Sequence, residues 1–231
     1  MGEAQISVII PTLNEEAALP GLLQFLSGQA DVQVIVSDGG SSDKTLNIGR
    51  EYGANIVGGP PGRGGQLIRG AAEASAPIML FLHADSRIER SLLDELMQAV
   101  KDGARWGCAV LEFDKEDLFY KVLAQFSNLR SRLFNSCYGD QAIYCCSDFY
   151  EQIGGYPDWP FLEDIEVSRR ARLLKRARII SAKVTTSTRR FEERGRLRTL
   201  LGMQWIKLRY ACGASPQKLS VLYQDKRGLK C

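Results

Sequence analysis

The chain has 231 residues, of which 45% are hydrophobic and 25% are charged, and this average composition excludes a disordered or fibrous protein. The length fits one large α/β domain with a sizeable core. A single histidine, His83, excludes zinc sites built from several histidines, and any catalytic triad with a histidine would need this one. The six cysteines form no CxxC pair, which favours reduced thiols over a disulfide scaffold.

The net charge of +3 hides an uneven distribution along the chain. Residues 1–168 contain 12 lysines and arginines against 24 acids, whereas residues 169–231 contain 18 against 3. Either the two parts neutralise each other within one fold, or the basic part meets the phosphates of a substrate or of lipid headgroups. Nucleic acid is not an expected partner, because no recognition module accompanies the charge.

The N-terminus lacks the basic region of a signal peptide, and the longest apolar run, Ala76 to Leu82, is too short to span a bilayer. We therefore expect a cytoplasmic protein, with peripheral contact to the inner face of the membrane left open.

Short apolar runs alternate with helical patterns over the first 113 residues. The predicted strands are continuous apolar runs, which indicates burial on both faces. The βαβα order predicts an α/β fold with a doubly wound, mainly parallel sheet flanked by helices. Strands are predicted at 6–10, 32–36, 55–57, 78–82 and 108–113, and helices near 15–28, 43–52, 64–75 and 91–102.

Beyond residue 113 the pattern becomes more helical, and no repeat or linker divides the chain. Helices are predicted at 115–135, 147–153, 163–175, 190–211 and 216–223, with a β-rich segment at 178–188. We predict one domain over residues 1–189. A basic helical C-terminal extension, 190–231, is expected to pack on it.

Polar side chains follow three of the predicted strands. The first strand is followed by PTLNE (11–15), the second by SDGGSSD (37–43) and the fourth by HAD (83–85). Ligands of open α/β sheets bind at the carboxyl ends of the strands, so three such segments predict a functional site at that edge. Each segment alone would also be explained by a helix cap or a turn.

Two loops add to this pattern. GGPPGRGGQ (58–66) lets the backbone approach a phosphate, with charge from Arg63, although a flexible turn is the alternative. It matches neither the P-loop nor the dinucleotide motif. The loop at 154–166 holds Tyr156 and Trp159 before the acids Glu163 and Asp164. Aromatic rings beside carboxylates suit a sugar, whereas ordinary capping would explain acids at a helix start.

Together these segments resemble the inverting family 2 glycosyltransferases of the GT-A fold. The motifs are SVIIPTLNEE (7–16), VSDGGSSDKT (36–45), FLHAD (81–85) and IGGYPDWPFLEDIEVSRR (153–170). GRGGQL (62–67), FLHAD and GASPQKLSVLY (213–223) also resemble a small bacterial branch called rSAM/selenodomain-associated transferases.

The resemblance implies transfer of a single sugar from a nucleotide-diphosphate sugar, a UDP-sugar by default, to an acceptor hydroxyl. It also implies that the domain has a nucleotide-binding half at about 1–113 and an acceptor half at about 114–189. It places the donor against a set of residues from the three strand ends and the glycine-rich loop: Pro11, Thr12, Asn14, Glu15, Asp38, Arg63, Gln66, His83 and Ala84. Within this set, Asp38 would form a hydrogen bond with the nucleobase of the donor. FLHAD takes the place of the family's DxD motif, so Asp85 would bind Mn²⁺ or Mg²⁺ together with the diphosphate.

In the ED pair, the resemblance makes Asp164 the general base, with Glu163 as second candidate, and a single base implies inversion. Tyr156 and Trp159 would border the acceptor. The chain departs from the family where His83 replaces the first acid of DxD. It also lacks QxxRW, which argues against a processive synthase.

Two alternative functions stay open, and so does the role of the C-terminal helix. A sugar-phosphate nucleotidyltransferase would need glycines and cations in the first loop, whereas TLNEE holds acids. A non-catalytic nucleotide-binding or membrane-peripheral module is suggested by His83, while Asp85 and the ED pair count against it. The C-terminal helix has a stripe that fits core, a homodimer interface or membrane contact, formed by Leu197, Leu201, Trp205, Leu208 and Cys212.

Overall fold

A seven-stranded sheet forms the centre of the computed structural model, which describes residues 4–225. The strand order is β3-β2-β1-β4-β6-β5-β7. Six strands run in one direction, and β6 runs against both of its neighbours, β4 and β5. The strands are β1 (Ile6–Thr12), β2 (Val32–Asp38), β3 (Asn55–Gly58), β4 (Ile78–Phe81), β5 (Trp106–Phe113), β6 (Ile143–Cys146) and β7 (Arg178–Thr186).

Helices cover both faces of the sheet, as predicted. They are α1 (Leu19–Ser27), α2 (Thr45–Glu51), α3 (Arg63–Ala72), α4 (Arg90–Lys101), α5 (Leu118–Phe134), α6 (Ser147–Gln152), α7 (Glu163–Leu174), α8 (Arg189–Arg194), α9 (Arg196–Ala211) and α10 (Pro216–Asp225). A short 3₁₀ turn, Gly139–Gln141, precedes β6.

Alternate residues of β1 belong to two separate cores. Val8 and Ile10 pack with the buried leucines of α1 and α4, whereas Ile9 packs with Leu67 of α3 and Val167 of α7. Successive side chains of a strand point to opposite faces, so a continuous apolar run serves two helical layers at once. Burial of each leucine contributes about 1.5–3 kcal/mol.

The predicted strands and helices are confirmed with shifted ends, but β6 was missed. Its four buried residues lead directly into α6, and so short an apolar run cannot be told from the start of a helix by periodicity. The helix expected near 15–28 begins only at Leu19, with Pro20 in its first turn. The helix expected at 190–211 is divided at Gly195, which has φ +86°.

The C-terminal part packs against the sheet domain at two places. Phe191 of α8 contacts Phe113 and Tyr120, and Ile206 of α9 packs on Leu162, just before α7. The stripe on α9 is not core, because Leu197, Leu201 and Leu208 are more than 60% exposed, and Trp205 and Cys212 are exposed too. The last six residues of the predicted extension lie outside the described chain.

None of the helices within residues 4–225 has the length and apolar composition to cross a bilayer.

Gly107 of β5 makes the packing of β5 on β7 sensitive to a single methyl group. A Cβ at this position would lie 1.8 Å from the carbonyl oxygen of Arg178. Gly107→Ala is therefore expected to lower the free energy of unfolding by about 2 kcal/mol or more, measured by urea denaturation. The control, Gly202→Ala in α9, meets nothing within 4 Å and should leave stability unchanged or higher. Equal stability of the two variants would contradict this packing.

Candidate functional site

The loops that follow β1 and β2 are joined by hydrogen bonds. The backbone N–H of Asn14 donates to Ser41 Oγ, and the N–H of Ser42 donates to Asn14 Oδ1, both at 2.9 Å. The N–H of Glu16 donates to Asp43 Oδ2 at 3.1 Å. Asn14 has φ +55°, a left-handed conformation that asparagine tolerates better than most residues. These bonds fix the edge of the predicted donor pocket.

Asp38 is buried at this edge and accepts hydrogen bonds from the end of β1 and from the loop after β2. Its Oδ1 accepts from the hydroxyls of Thr12 and Ser41, and its Oδ2 accepts from the N–H groups of Gly40 and Ser41 at 2.8 Å. Burial alone would raise the pKa of Asp38, but these hydrogen bonds hold the pKa below its usual value. Asp38 is only 1% exposed. A hydrogen bond to the nucleobase of a donor would therefore have to compete with the hydrogen bonds that Asp38 already accepts within the chain.

Gln66 also has internal partners. Its Nε2 donates to the carbonyl oxygens of Thr12 at 2.6 Å and Ser37 at 3.0 Å, which ties α3 to the ends of β1 and β2. A Cβ on Gly39 would lie 3.1 Å from the Gln66 amide, so the turn after β2 is held close to α3. Pro11 is half-buried in β1, opposite Ser37. The amide of Gln66 therefore supports the backbone that forms the wall of the predicted donor pocket.

Arg63, the first residue of α3, lies between two other elements. Its Nε is 2.8 Å from Oε1 of Glu163 at the start of α7, and its Nη2 contacts Nε2 of His83, just beyond β4. A Cβ on Gly139 would collide with Arg63 Nη2 at 2.3 Å. One third of the Arg63 side chain is exposed, whereas that of Glu163 is fully buried. Arg63 thus connects the strand-end site to the ED pair.

Burial governs the ionisation of these groups. It raises the pKa of Glu163 to about 7, with a further rise from Asp164, although Arg63 opposes the shift. Burial also lowers the pKa of His83 well below its usual value, and the charges of Arg63 and Arg190 lower it further. Since a guanidinium only donates, His83 Nε2 accepts from Arg63, and the proton of the neutral imidazole is on Nδ1.

Asp164 is more accessible than its neighbour in the ED pair. Its Oδ2 accepts from the N–H of Gly139, and its Oδ1 accepts from the N–H of Ile165, both at 2.8 Å. The carboxylate is thereby oriented by two backbone groups at a partly exposed position.

Asp85 lines a cavity of about 280 Å³ with Arg189 and the ends of β5 and β7. Arg189 Nη2 lies 3.5 Å from Glu15 Oε2 across this region. Burial raises the pKa of Glu15, Arg189 opposes the rise, and Asp85 adds to it. Within the described chain, no three His, Cys, Asp or Glu side chains form a metal-binding group. A single carboxylate such as that of Asp85 suits an ion that takes its other ligands from water and substrate phosphates, as Mg²⁺ does.

Two further predicted site residues are buried, and a third is half-buried. Ala84 is 4% exposed and belongs to the core. Tyr156 is equally buried, with its ring edge-on to Phe81 at a centroid distance of 4.9 Å. Trp159 is half-buried, with its ring 6.1 Å from that of Tyr210 in α9 and its carbonyl accepting from the N–H of Gly64. Tyr156 and Trp159 thus hold the loop that leads to the ED pair against Phe81, Tyr210 and Gly64.

Sequence reasoning missed Arg190 and Gly139 as parts of the site. Arg190 is an exposed residue of α8 that acts on the pKa of His83, and it makes no ion pair with any described residue. The only sequence signal for it was the basic composition after residue 168. Gly139 gave no signal, because its role depends on the close approach of Arg63 and Asp164.

Solved structures with a similar fold include TarS 1–349 of S. aureus, with a TM-score of 0.65 at 19% identity over 80% of this chain and 60% of that chain. Glucosyl-3-phosphoglycerate synthase from Mycobacterium tuberculosis, solved in complex with Mn²⁺, UDP and phosphoglyceric acid, has a TM-score of 0.56 at 22% identity over 80% and 69%. These similarities confirm the predicted GT-A type of α/β fold.

Curated relatives are also similar in sequence. An uncharacterized glycosyltransferase of Mycobacterium tuberculosis is 32% identical over 100 residues, which make up 43% of this chain and 45% of that protein. A PGL/p-HBAD biosynthesis glycosyltransferase of the same species is 30% identical over 195 residues, 70% of this chain and 69% of that protein. The family model described as Glycosyl transferase family 2 matches residues 7–150. The chain belongs to glycosyl transferase family 2.

Proposed function

We propose that the chain transfers one sugar from a nucleotide-diphosphate sugar, with UDP as the default nucleotide, to an acceptor hydroxyl with inversion. The observation behind this proposal is the junction of Arg63 with Glu163 and His83 at the carboxyl edge of the sheet. A partly exposed cation beside the predicted donor pocket and the predicted base supports this proposal. TarS has been solved with UDP-GlcNAc and with UDP, which supports UDP as the default nucleotide.

The donor would lie along the edge formed by the loops after β1 and β2. Pro11, Thr12, Asn14 and Glu15 are the proposed surroundings of the base and ribose. The diphosphate would meet Arg63 and the newly identified Arg190, since both are cations near His83.

A divalent metal is part of this proposal, with Asp85 as its protein ligand. Its Mn²⁺ or Mg²⁺ would share the donor's diphosphate and neutralise charge on the departing nucleoside diphosphate. The Mn²⁺ found with UDP in the mycobacterial synthase supports this assignment. Because His83 stands where the family has the first acid of DxD, the proposed metal position has one negative charge fewer than in the family.

Asp164 suits the role of general base better than Glu163. A base must reach the acceptor hydroxyl, and Asp164 is partly exposed whereas Glu163 is fully buried against Arg63. One base opposite the leaving group implies a single displacement. The first loop presents Glu15 and Glu16 where a nucleotidyltransferase would need cations, so the site supports sugar transfer better.

We also propose a division into a domain at 1–189 and an extension at 190–231, membership of the rSAM-associated branch, and a cytoplasmic location. The exposed stripe of α9 supports contact with a second copy.

Glu163 is expected to make stability fall as pH rises. The folded-state pKa of about 7 lies above the usual value of 4.5, so the folded chain binds more protons than the unfolded chain between these values. The free energy of unfolding should decrease by roughly 3 kcal/mol over this window and then level off. Urea denaturation from about pH 5 to pH 8 measures this, and Glu163→Gln should lack this part of the decrease. The same slope in both proteins would contradict the assignment.

Asp164→Asn is expected to lower the release of UDP from UDP-sugars by about a hundredfold or more, because the attacking hydroxyl or water loses its base. The affinity for UDP should stay within about threefold, because Asp164 is assigned to the acceptor. The control is Asp158→Asn, an exposed acid in the preceding loop, which should keep full turnover. Full turnover by Asp164→Asn would place the base elsewhere.

A further inference from the structure

Helix α5 has an outer face of large apolar side chains. They recur at a spacing that places them on one stripe of the helix, and each is between 41% and 76% exposed. On the opposite side, Tyr120, Ala124 and Ser131 are buried. The stripe consists of Leu118, Val122, Phe126, Leu129 and Leu133.

The stripe ends in a region that is both apolar and basic. Arg172 of α7 donates from Nη1 to the carbonyl oxygen of Phe134 at 3.4 Å, which joins the C-terminal ends of α5 and α7. Phe134, Leu173 and Leu174 are more than half exposed there. We call the stripe, these three side chains and the five nearby cations the α5–α7 face; the cations are Arg132, Arg172, Lys175, Arg176 and Arg178.

The positive charges of the α5–α7 face are balanced by few acids of the same chain. Four of them line a cavity of about 470 Å³, with Asp102 as the acid on its wall. Asp102 accepts a hydrogen bond from Gln98 Nε2 at 2.8 Å. None of the five cations forms an ion pair with a residue in the range 4–225.

These observations limit what could cover the face. Monomeric soluble proteins rarely leave an apolar patch of this extent in contact with water. A second copy whose two-fold axis passed near the cations would bring the same five positive charges against each other. Apolar side chains flanked by a cluster of four to eight cations instead match a surface that carries negative headgroups over an apolar layer. We propose that the α5–α7 face docks on an anionic lipid membrane.

The orientation of α5 keeps the sheet edge that bears the candidate site beside the membrane. The N–H and carbonyl oxygen of Leu111 bond the side-chain amide of Asn128 at 2.8 and 3.0 Å, which fixes α5 along β5. The helix begins shortly after Phe113, at the carboxyl edge, and ends at the opposite edge. A membrane in contact with its whole length would therefore also border the candidate site. The proposal holds for any chemistry at that site.

Sedimentation of the full chain with vesicles tests the proposal. The chain should sediment with phosphatidylcholine vesicles that contain phosphatidylglycerol and stay in solution with pure phosphatidylcholine. Phe126→Ser with Leu129→Ser should weaken binding about tenfold or more, and Arg176→Gln with Arg178→Gln should do the same. These side chains are exposed, so melting temperature and UDP affinity should not change.

The matched control is Leu201→Ser with Leu208→Ser, which makes the same change on the equally exposed stripe of α9. This variant should bind vesicles like the unmodified chain. Loss of binding in the α9 variant alone would move the contact to that helix and overturn the proposal. Absence of vesicle binding would overturn it too. So would a dimer in analytical ultracentrifugation that Phe126→Ser with Leu129→Ser dissociates, because the face would then serve a second copy.

Discussion

The ion pair between Arg63 and Glu163 is the interaction on which the arrangement of the site depends. A fully buried carboxylate is tolerated only beside a cation or as a neutral acid, and Glu163, with its pKa near 7, is balanced between the two. Arg63 reaches it because α3 approaches the loop before α7 very closely. A Cβ on Gly64 would lie 2.2 Å from the carbonyl oxygen of Pro157, so only glycine permits this approach.

Through its contact with Glu163, Arg63 has two roles in this account. Its Nε contacts Glu163, and one third of the side chain is exposed. The proposal has the donor diphosphate bind at this exposed part. Anion binding at Arg63 and the ionisation of Glu163 are thus coupled, since both draw on the same positive charge. Asp164 follows directly in the chain, so the position of the proposed base depends on the same pair.

The uneven charge has two outcomes in the structure. Part of the basic segment neutralises acids of the first part, as Arg189 does with Glu15 and Arg196 with Asp117. Another part, on the α5–α7 face, has no such partner among the described residues. The sequence predicted the helices and six of the seven strands of the sheet, because buried runs such as that of β1 have a strong local signal. It could not predict the bond of Asp38 to Thr12 or the bonds of Gln66 to Thr12 and Ser37, since these join residues 26 or more positions apart.

Calorimetric titration of UDP in the presence of Mn²⁺, into the unmodified chain and Arg63→Met, tests the central claim most directly. Arg50→Met, on the exposed surface of α2, is the control. The account predicts that Arg63→Met weakens UDP binding at least tenfold, about 1.4 kcal/mol, while Arg50→Met leaves it unchanged. Equal affinity for UDP in all three proteins would contradict the placement of the donor at the junction of Arg63, His83 and Glu163.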